Sequence, residues 1–93
     1  MGLKCSPQIR QKLAQRHGVS LNEIQECIAN RTAGLLEDTR EDHKSDPPTQ
    51  WFIAETDSGR ELKVVFILKE GDVIIKTAYV PNDDEKRIYS RYA

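Results

Sequence analysis

Two lysines interrupt the apolar, β-branched runs in the second half of the chain. Lys63 lies in ELKVVFILK and Lys76 in DVIIKTAY, and Trp51 lies near the start of an earlier run of the same kind. A lysine inside a strand costs stability unless its ammonium reaches solvent, pairs with an acid or binds a ligand. Lysine as a point charge and tryptophan as a stacking surface could together hold a phosphodiester. Two solvated lysines on an exposed sheet face are the alternative.

Two histidines are candidates for acid–base chemistry, because imidazole exchanges protons near neutral pH. His17 lies in the segment RHGVS, where two predicted helices meet, and a histidine that ends a helix is the alternative. His43 lies in a polar loop with Arg40, and both are candidates for substrate binding. Proton transfer or metal ligation by His43 is a weaker prediction, because a single histidine lacks a second ligand at metal-binding spacing. We expect no metal and no other cofactor, and a solvated loop is the alternative for this segment.

Three arginines are candidates for holding a phosphate. Arg60 follows the glycine of a predicted turn, so the backbone positions it. Arg87 and Arg91 are four residues apart on the predicted last helix and therefore share one face. Acidic residues at 83–85 precede them, so salt bridges within the fold are the alternative to a ligand.

The first third of the chain predicts a helical hairpin with a short joint. Ser6-Pro7 is typical of a helix start and Gly18 of a helix end. Ser20 and Glu23 form a capping box for a second helix, which we expect to end at about residue 29. Residues 34–37 are a candidate short strand, and one long polar loop follows it.

The second half predicts an antiparallel meander, with strands at about Gln50–Thr56, Arg60–Lys69 and Asp72–Val80. The turn signals Asp57-Ser58-Gly59 and Glu70-Gly71 separate these strands and suit short hairpins.

A capped helix follows the meander. Asn82 and Glu85 begin it, and Ile88 and Tyr92 are expected to form its apolar stripe. The fold class is therefore α+β, with a helical hairpin, an antiparallel meander of three to four strands and a C-terminal helix in a single domain over residues 1–93.

The turns also predict a register, in which Val65 faces Lys76 and Phe66 faces Ile75. Alternation then divides the strand residues between two faces of the sheet. The apolar face, which should receive the helices, carries Phe52, Ala54, Leu62, Val64, Phe66, Leu68, Val73, Ile75 and Tyr79. The opposite face, here called the mixed face, carries Trp51, Ile53, Lys63, Val65, Ile67, Ile74, Lys76 and Ala78.

Composition narrows the classes of function. The chain has 14 basic and 15 acidic residues and a net charge of -1, so charge alone does not predict non-specific nucleic-acid binding. Cys5 and Cys27 are too few for a disulfide scaffold, and we expect free thiols in the reducing cytoplasm. We expect no signal peptide and no membrane span, because no apolar run is long enough.

The order of several short motifs resembles a known family. KLAQRHGVSLNEIQE, DTRED, WFIAETDSGRELKVVFI, IIKTAY and EKRIYSRY follow one another over roughly residues 10–92. This order is similar to that of the BrnT family, which are small ribonuclease toxins with a RelE-like fold. The family usually begins with a short strand that contains aromatic-x-Trp-Asp, and this chain departs from that pattern, with Leu3-Lys4-Cys5-Ser6-Pro7 in its place.

The resemblance implies metal-independent RNA cleavage, in which the 2′-hydroxyl attacks the adjacent phosphate, and a small antitoxin protein as partner. It makes Arg60 and Lys76 candidates for phosphate contact and charge stabilisation, with Lys63 as a second phosphate contact. His17 and Tyr79 become candidates for proton transfer or positioning. Trp51, Arg40, His43 and Arg87 remain candidates for substrate binding from their residue types alone.

A non-catalytic interaction module is the alternative function. It would use the mixed face to hold a partner protein or a second copy of the chain as a homodimer. The slightly acidic net charge and the apolar residues Ile53, Val65, Ile67 and Ile74 motivate this alternative.

Overall fold

The computed structural model describes residues 2–38 and 48–93. Its elements are β1 (Leu3–Lys4), α1 (Pro7–Lys12), a π-helical segment (Leu13–His17), α2 (Leu21–Asn30), β2 (Leu36–Glu37), β3 (Thr49–Glu55), β4 (Glu61–Lys69), β5 (Asp72–Tyr79) and α3 (Asp83–Tyr92). The α+β class is confirmed. Arg40 and His43 lie outside the described residues.

The helix starts form as the sequence predicts. Ser6 accepts a hydrogen bond from the Ile9 amide at 3.2 Å, and Ser20 and Glu23 form a reciprocal capping box at the start of α2. The first helix ends in the π-helical segment, and Gly18 follows it with φ 61°. Because this left-handed backbone conformation favours glycine, Gly18 allows the chain to turn directly into α2.

The described strands form one five-stranded sheet in the order β1-β5-β4-β3-β2. The expected count of three to four strands is therefore too low. Residues 3–7 were not expected to form a strand, but Leu3–Lys4 pairs with β5 as a parallel edge strand, and Lys4 holds Asp72 at 2.9 Å. The remaining neighbours are antiparallel. Such two-residue edge strands are too short to give a periodic sequence signal.

Helices cover both faces of the sheet, not one. The first two helices cover the apolar face, where Leu13, Val19, Ile24 and Cys27 are buried against the strands. Burial raises the pKa of the Cys27 thiol to about 11, so the thiol stays protonated. The last helix, α3, packs against β3 from the side of Trp51, whose ring centroid lies 5.7 Å from that of Tyr89.

The apolar stripe expected on α3 is wrong. Ile88 and Tyr92 are 46% and 65% exposed, whereas Tyr89 is 8% exposed and faces the sheet. The hydroxyl of Tyr89 donates a hydrogen bond to the Gly34 carbonyl at 2.7 Å. An amphipathic tyrosine therefore takes the buried position, because its apolar ring packs while its polar end has a partner.

The mixed face has two parts. The closed half, made of Trp51, Ile53 and Lys63, lies beneath α3, and each of these residues is 8% exposed. The open half consists of Val65, Ile67, Ile74, Lys76 and Thr77, which are partly or fully exposed.

Candidate functional site

A β-bulge in β5 determines which side chains share the mixed face. Phe66 pairs with Ile75 as expected, but Val65 pairs with Thr77, so the ladder skips Lys76. The expected pairing of Val65 with Lys76 is therefore wrong. Bulges of this kind are common beside active sites, where they re-aim a side chain.

The bulge exchanges the faces of the two residues that end β5. Ala78 pairs with Val64 and is fully buried in the apolar face, although the sequence predicted it on the mixed face. Tyr79 pairs with Lys63 and so joins the mixed face, although the sequence predicted it in the core. One inserted residue shifts the alternation, because side chains along a strand have a period of two. The result brings Tyr79 beside the lysines.

A cavity of about 240 Å³ opens on the mixed face at this point. Its lining includes four of the predicted site residues, which are Lys63, Lys76, Tyr79 and Trp51. The rest of the lining is Asp38, Thr49, Val65 and Thr77. The structure thus brings together residues that are distant in the sequence: Trp51 and Lys76, for example, are 25 positions apart.

His17 approaches the same cluster from the helical joint. Its ring centroid lies 5.7 Å from that of Tyr79, with the two ring planes tilted by 40°. His17 is the last residue of the π-helical segment, and such segments are rare and frequent at functional sites. A predicted acid–base residue therefore lies against a residue of the cavity wall.

Lys63 is held by Glu85, an acidic residue that the sequence did not predict as part of the site. Its ammonium lies 2.6 Å from Oε2 of Glu85, and the Tyr79 hydroxyl donates to the same oxygen at 2.7 Å. The side chains of Lys63 and Glu85 are 10% and 16% exposed. Lys63 therefore stabilises the packing of α3 on the sheet, and its charge is largely matched by Glu85.

This network shifts the pKa values of two of its members. Burial raises the pKa of Tyr79, and the hydrogen bond to Glu85 raises it further. Burial alone would also raise the pKa of Glu85, but hydrogen bonds from Lys63, the Asn82 amide and Tyr79 outweigh burial and hold it below its ordinary value of 4.5. At neutral pH the network therefore contains a neutral phenol and an ionised carboxylate.

Trp51 has aromatic and cationic neighbours within the protein. The Lys63 ammonium lies 4.3 Å from its ring centroid, a cation–π distance, and Tyr89 packs nearby. With 8% of its surface exposed, Trp51 borders the cavity while it fills the space beneath α3.

Arg60 lies at the helical joint. Its guanidinium donates to the carbonyls of Gly18 at 2.8 Å and His17 at 3.1 Å, and it pairs with Glu23 at 3.0 Å. These contacts satisfy carbonyls at the end of the first helical element and connect it to the β3–β4 hairpin. Arg60 thus positions the backbone of His17.

Arg87 lies at a different place. Its side chain is 74% exposed and pairs with Asp84 at 3.3 Å. It borders an open groove of about 970 Å³ between α2, β3 and α3. This groove is larger than the cavity, but the Asn30 amide donates to Glu55 and Asp57 within it, so part of its polar lining is already bonded inside the fold. Arg87 is the one predicted site residue among its described lining residues.

Sequence reasoning missed Glu85, which holds the cavity residues Lys63 and Tyr79, and the lining residues Asp38, Thr49 and Thr77. Glu85 was expected as a helix cap, and it does cap α3 through the Asn82 amide at 3.0 Å. Its position four residues before Tyr89 places both on one helix face, but only the tertiary structure shows that this face meets the sheet. The position of Thr77 depends on the bulge, for which the sequence gives no signal that we can identify.

In comparisons with known proteins, no family model and no curated protein matches the chain. Among residues 2–38 and 48–93, no three histidine, cysteine, aspartate or glutamate side chains come together as metal ligands. Within the same residues, no helix has the length and hydropathy needed to cross a bilayer.

Proposed function

We propose that this chain is a BrnT- or RelE-like toxin-type ribonuclease that cleaves RNA phosphodiesters without a metal ion. The observation that supports the proposal is the β-bulge at Lys76, which places this exposed lysine at the same cavity as Tyr79, Lys63 and Trp51. A bulge disturbs the ladder, so a cavity of polar residues formed around one fits a binding role. The motif order, which resembles that of the BrnT family, is the basis for naming this family in the proposal.

The proposed reaction uses the substrate's own nucleophile. The ribose 2′-oxygen attacks phosphorus and forms a new P–O bond, and its proton passes to the imidazole of His17. The bond from phosphorus to the 5′-oxygen then breaks, and water protonates the leaving oxygen. The products are a 2′,3′-cyclic phosphate and a 5′-hydroxyl.

Lys76 has the central role in this reaction. Its ammonium stabilises the negative charge that grows on the phosphate oxygens in the transition state, where fixed charges contribute most. Lys63 contributes a second, largely compensated charge, since Glu85 accepts its hydrogen bond at 2.6 Å. Arg60 acts indirectly, because its contacts hold the backbone of His17.

RNA cleavage in the presence of EDTA tests the proposal. We expect the wild type to cut a single-stranded RNA and to leave a cyclic phosphate end. Lys76→Ala should lower the rate about 100-fold or more, the usual effect of losing one group that stabilises transition-state charge. Lys69→Ala, which changes an exposed lysine at the other end of the β4–β5 hairpin, is the matched control. Equal activity of wild type and Lys76→Ala, or none in either, contradicts the proposal.

The proposal includes a small antitoxin protein that binds and inhibits the chain in the cytoplasm. Expression of the chain alone should slow bacterial growth, and co-expression of the protein encoded beside it should restore growth. Growth arrest by Lys76→Ala as strong as that by wild type would argue against toxicity through RNA cleavage.

A protein-interaction module is the second candidate function. The observation that favours it is the open half of the mixed face, where Val65, Ile67 and Ile74 remain partly exposed beside one another. A second copy of the chain could cover these residues. Light scattering over a range of concentrations tests this candidate, and a monomer throughout would exclude the homodimer.

A further inference from the structure

The two carboxylate oxygens of Glu85 have different partners. Oε1 accepts a hydrogen bond from the Asn82 amide at 3.0 Å, while the Glu85 amide donates to the Asn82 side chain at 2.8 Å. Oε2 accepts hydrogen bonds from Lys63 at 2.6 Å and Tyr79 at 2.7 Å. The start of α3 therefore fixes the carboxylate, and the carboxylate in turn fixes the Tyr79 hydroxyl.

This arrangement determines what Tyr79 offers to a ligand in the cavity. A phenol has one proton to donate and can also accept hydrogen bonds. The proton of Tyr79 is directed to Glu85, so a further partner of the hydroxyl meets its acceptor side. Since Tyr79 lines the cavity, a ligand there meets a hydroxyl whose proton is already engaged by Glu85. Tyr79 therefore presents an acceptor to a ligand, and no donor.

Glu85 orients Tyr79 and does not take its proton. Burial opposes ionisation of Glu85, but its hydrogen bonds with Lys63, the Asn82 amide and Tyr79 hold its pKa below the ordinary value. A carboxylate with a lowered pKa is a poor proton acceptor. Glu85 therefore orients the Tyr79 hydroxyl and does not receive protons from the cavity through it.

We infer that Glu85 is a positioning residue, which turns the Tyr79 hydroxyl so that its oxygen accepts a hydrogen bond from the 2′-hydroxyl of a ribose bound in the cavity, before that proton leaves for His17 in the reaction. The inference rests on the proposed function and adds a basis for selecting RNA. A ribose has a donor at this position and a deoxyribose has none. The phosphate beside the ribose would contact Lys76, which lines the same cavity.

Two mononucleotides that are not cleaved test the contact. Adenosine 3′-monophosphate and 2′-deoxyadenosine 3′-monophosphate share a phosphate and differ at the 2′ position. Calorimetry with the full chain should show about threefold to tenfold tighter binding of the ribonucleotide, the range for one net hydrogen bond. Lys76→Ala should weaken both ligands by similar factors, because the phosphate is common to them.

Three variants test the assigned roles. Tyr79→Phe keeps the ring and removes the acceptor, so the ratio of the two affinities should approach one. Glu85→Gln removes the charge that orients the phenol, and the ratio should fall in the same direction. Asp84→Asn, at a 79% exposed carboxylate in the same helical turn, is the matched control and should leave the ratio unchanged.

A spectroscopic measurement separates orientation from a merely structural role. Ultraviolet titration of tyrosinate in wild type and Tyr79→Phe identifies the Tyr79 signal among the three tyrosines. In folded Glu85→Gln this titration should move to lower pH, because the Glu85 carboxylate adds to burial in raising the pKa of Tyr79. An unchanged titration would overturn the role of Glu85. If Glu85→Gln does not fold, the ratio measured for Tyr79→Phe decides the inference.

The outcomes for this inference and for the proposed function differ. Equal binding of the two nucleotides to a wild type that cleaves RNA overturns the 2′-hydroxyl contact and leaves the ribonuclease proposal in place. A preference for the ribonucleotide that Tyr79→Phe removes, in a protein that does not cleave RNA, supports the contact and contradicts catalysis. If neither nucleotide binds, the inference is overturned. If the protein also fails to cleave RNA, the ribonuclease proposal is overturned with it.

Discussion

The closed and open halves of the mixed face contain the same kinds of residue in different surroundings. Lys63 in the closed half is 8% exposed and pairs with Glu85 at 2.6 Å, whereas Lys76 in the open half is exposed at the cavity. Both lysines interrupt apolar strand sequences in the same way. The difference comes from α3, which covers β3 and supplies Glu85 to one lysine. A lysine in a strand thus has a structural role where a helix covers it and pairs its charge, and is a candidate for ligand binding where it stays exposed.

The largest expected effect is on Lys63. Lys63→Met should lower the free energy of unfolding by about 3 kcal/mol, because it leaves the largely buried Glu85 carboxylate without its cationic partner. Lys76→Met, at the exposed lysine, should change it by less than about 0.5 kcal/mol. Urea denaturation of both variants measures the comparison. Similar losses for the two would mean that α3 does not distinguish the two halves.

The second prediction concerns the two tyrosines near the end of α3. Tyr89→Phe should cost about 1–2 kcal/mol, because the Gly34 carbonyl loses its 2.7 Å hydrogen bond. Tyr92→Phe should have no measurable effect, since Tyr92 is 65% exposed. Thermal unfolding followed by circular dichroism compares them. A larger loss for Tyr92→Phe would contradict the observed face of α3.

The third prediction is the pH dependence of the closed half. The folded-state pKa of Glu85 is below its ordinary value of 4.5, so its stabilising contribution is complete above that value and is lost as pH falls through the folded pKa. Wild type should therefore exceed Glu85→Gln in stability near pH 7, and the difference should shrink below pH 4.5. Melting curves over this range measure it. A difference independent of pH would show that the Glu85 charge is not stabilising.

The smallest expected effect compares two isoleucines of the mixed face. Ile53→Val, in the closed half, removes a buried methyl group and should cost about 1 kcal/mol. Ile74→Val, in the open half, should cost less than about 0.5 kcal/mol because Ile74 is only partly buried. Equilibrium unfolding in urea resolves the pair. Equal costs would show that the open half is as well packed as the closed half.

The long strands and the helix caps were predictable because their signals are local. The observed β3, β4 and β5 begin and end within one residue of the expected bounds, and the pairing of Phe66 with Ile75 is confirmed. The hairpin at Glu70-Gly71 forms with positive φ at both residues, as a two-residue turn requires. Turn chemistry and alternation are sufficient for this much of the fold.

The bulge and the packing of α3 could not be predicted in the same way. Alternation placed Ala78 on the mixed face and Tyr79 in the core, and the bulge exchanges them. The apolar spacing predicted that Ile88 and Tyr92 would face the sheet. Tyr89 and Glu85 face it instead, because Tyr89 donates a hydrogen bond to the Gly34 carbonyl and Glu85 accepts one from Lys63. Such partners come from distant parts of the chain, so the helix sequence alone does not contain them.

By itself, the sequence of this protein determined the α+β class, the bounds of its main strands and the capped helix starts, because short-range turn, cap and alternation rules govern these features. Tertiary structure decided which lysine is paired, which tyrosine is buried and which residues share the cavity. The physical reason is that each of these outcomes depends on one long-range event, either the bulge at Lys76 or the packing of α3 through Glu85 and Tyr89.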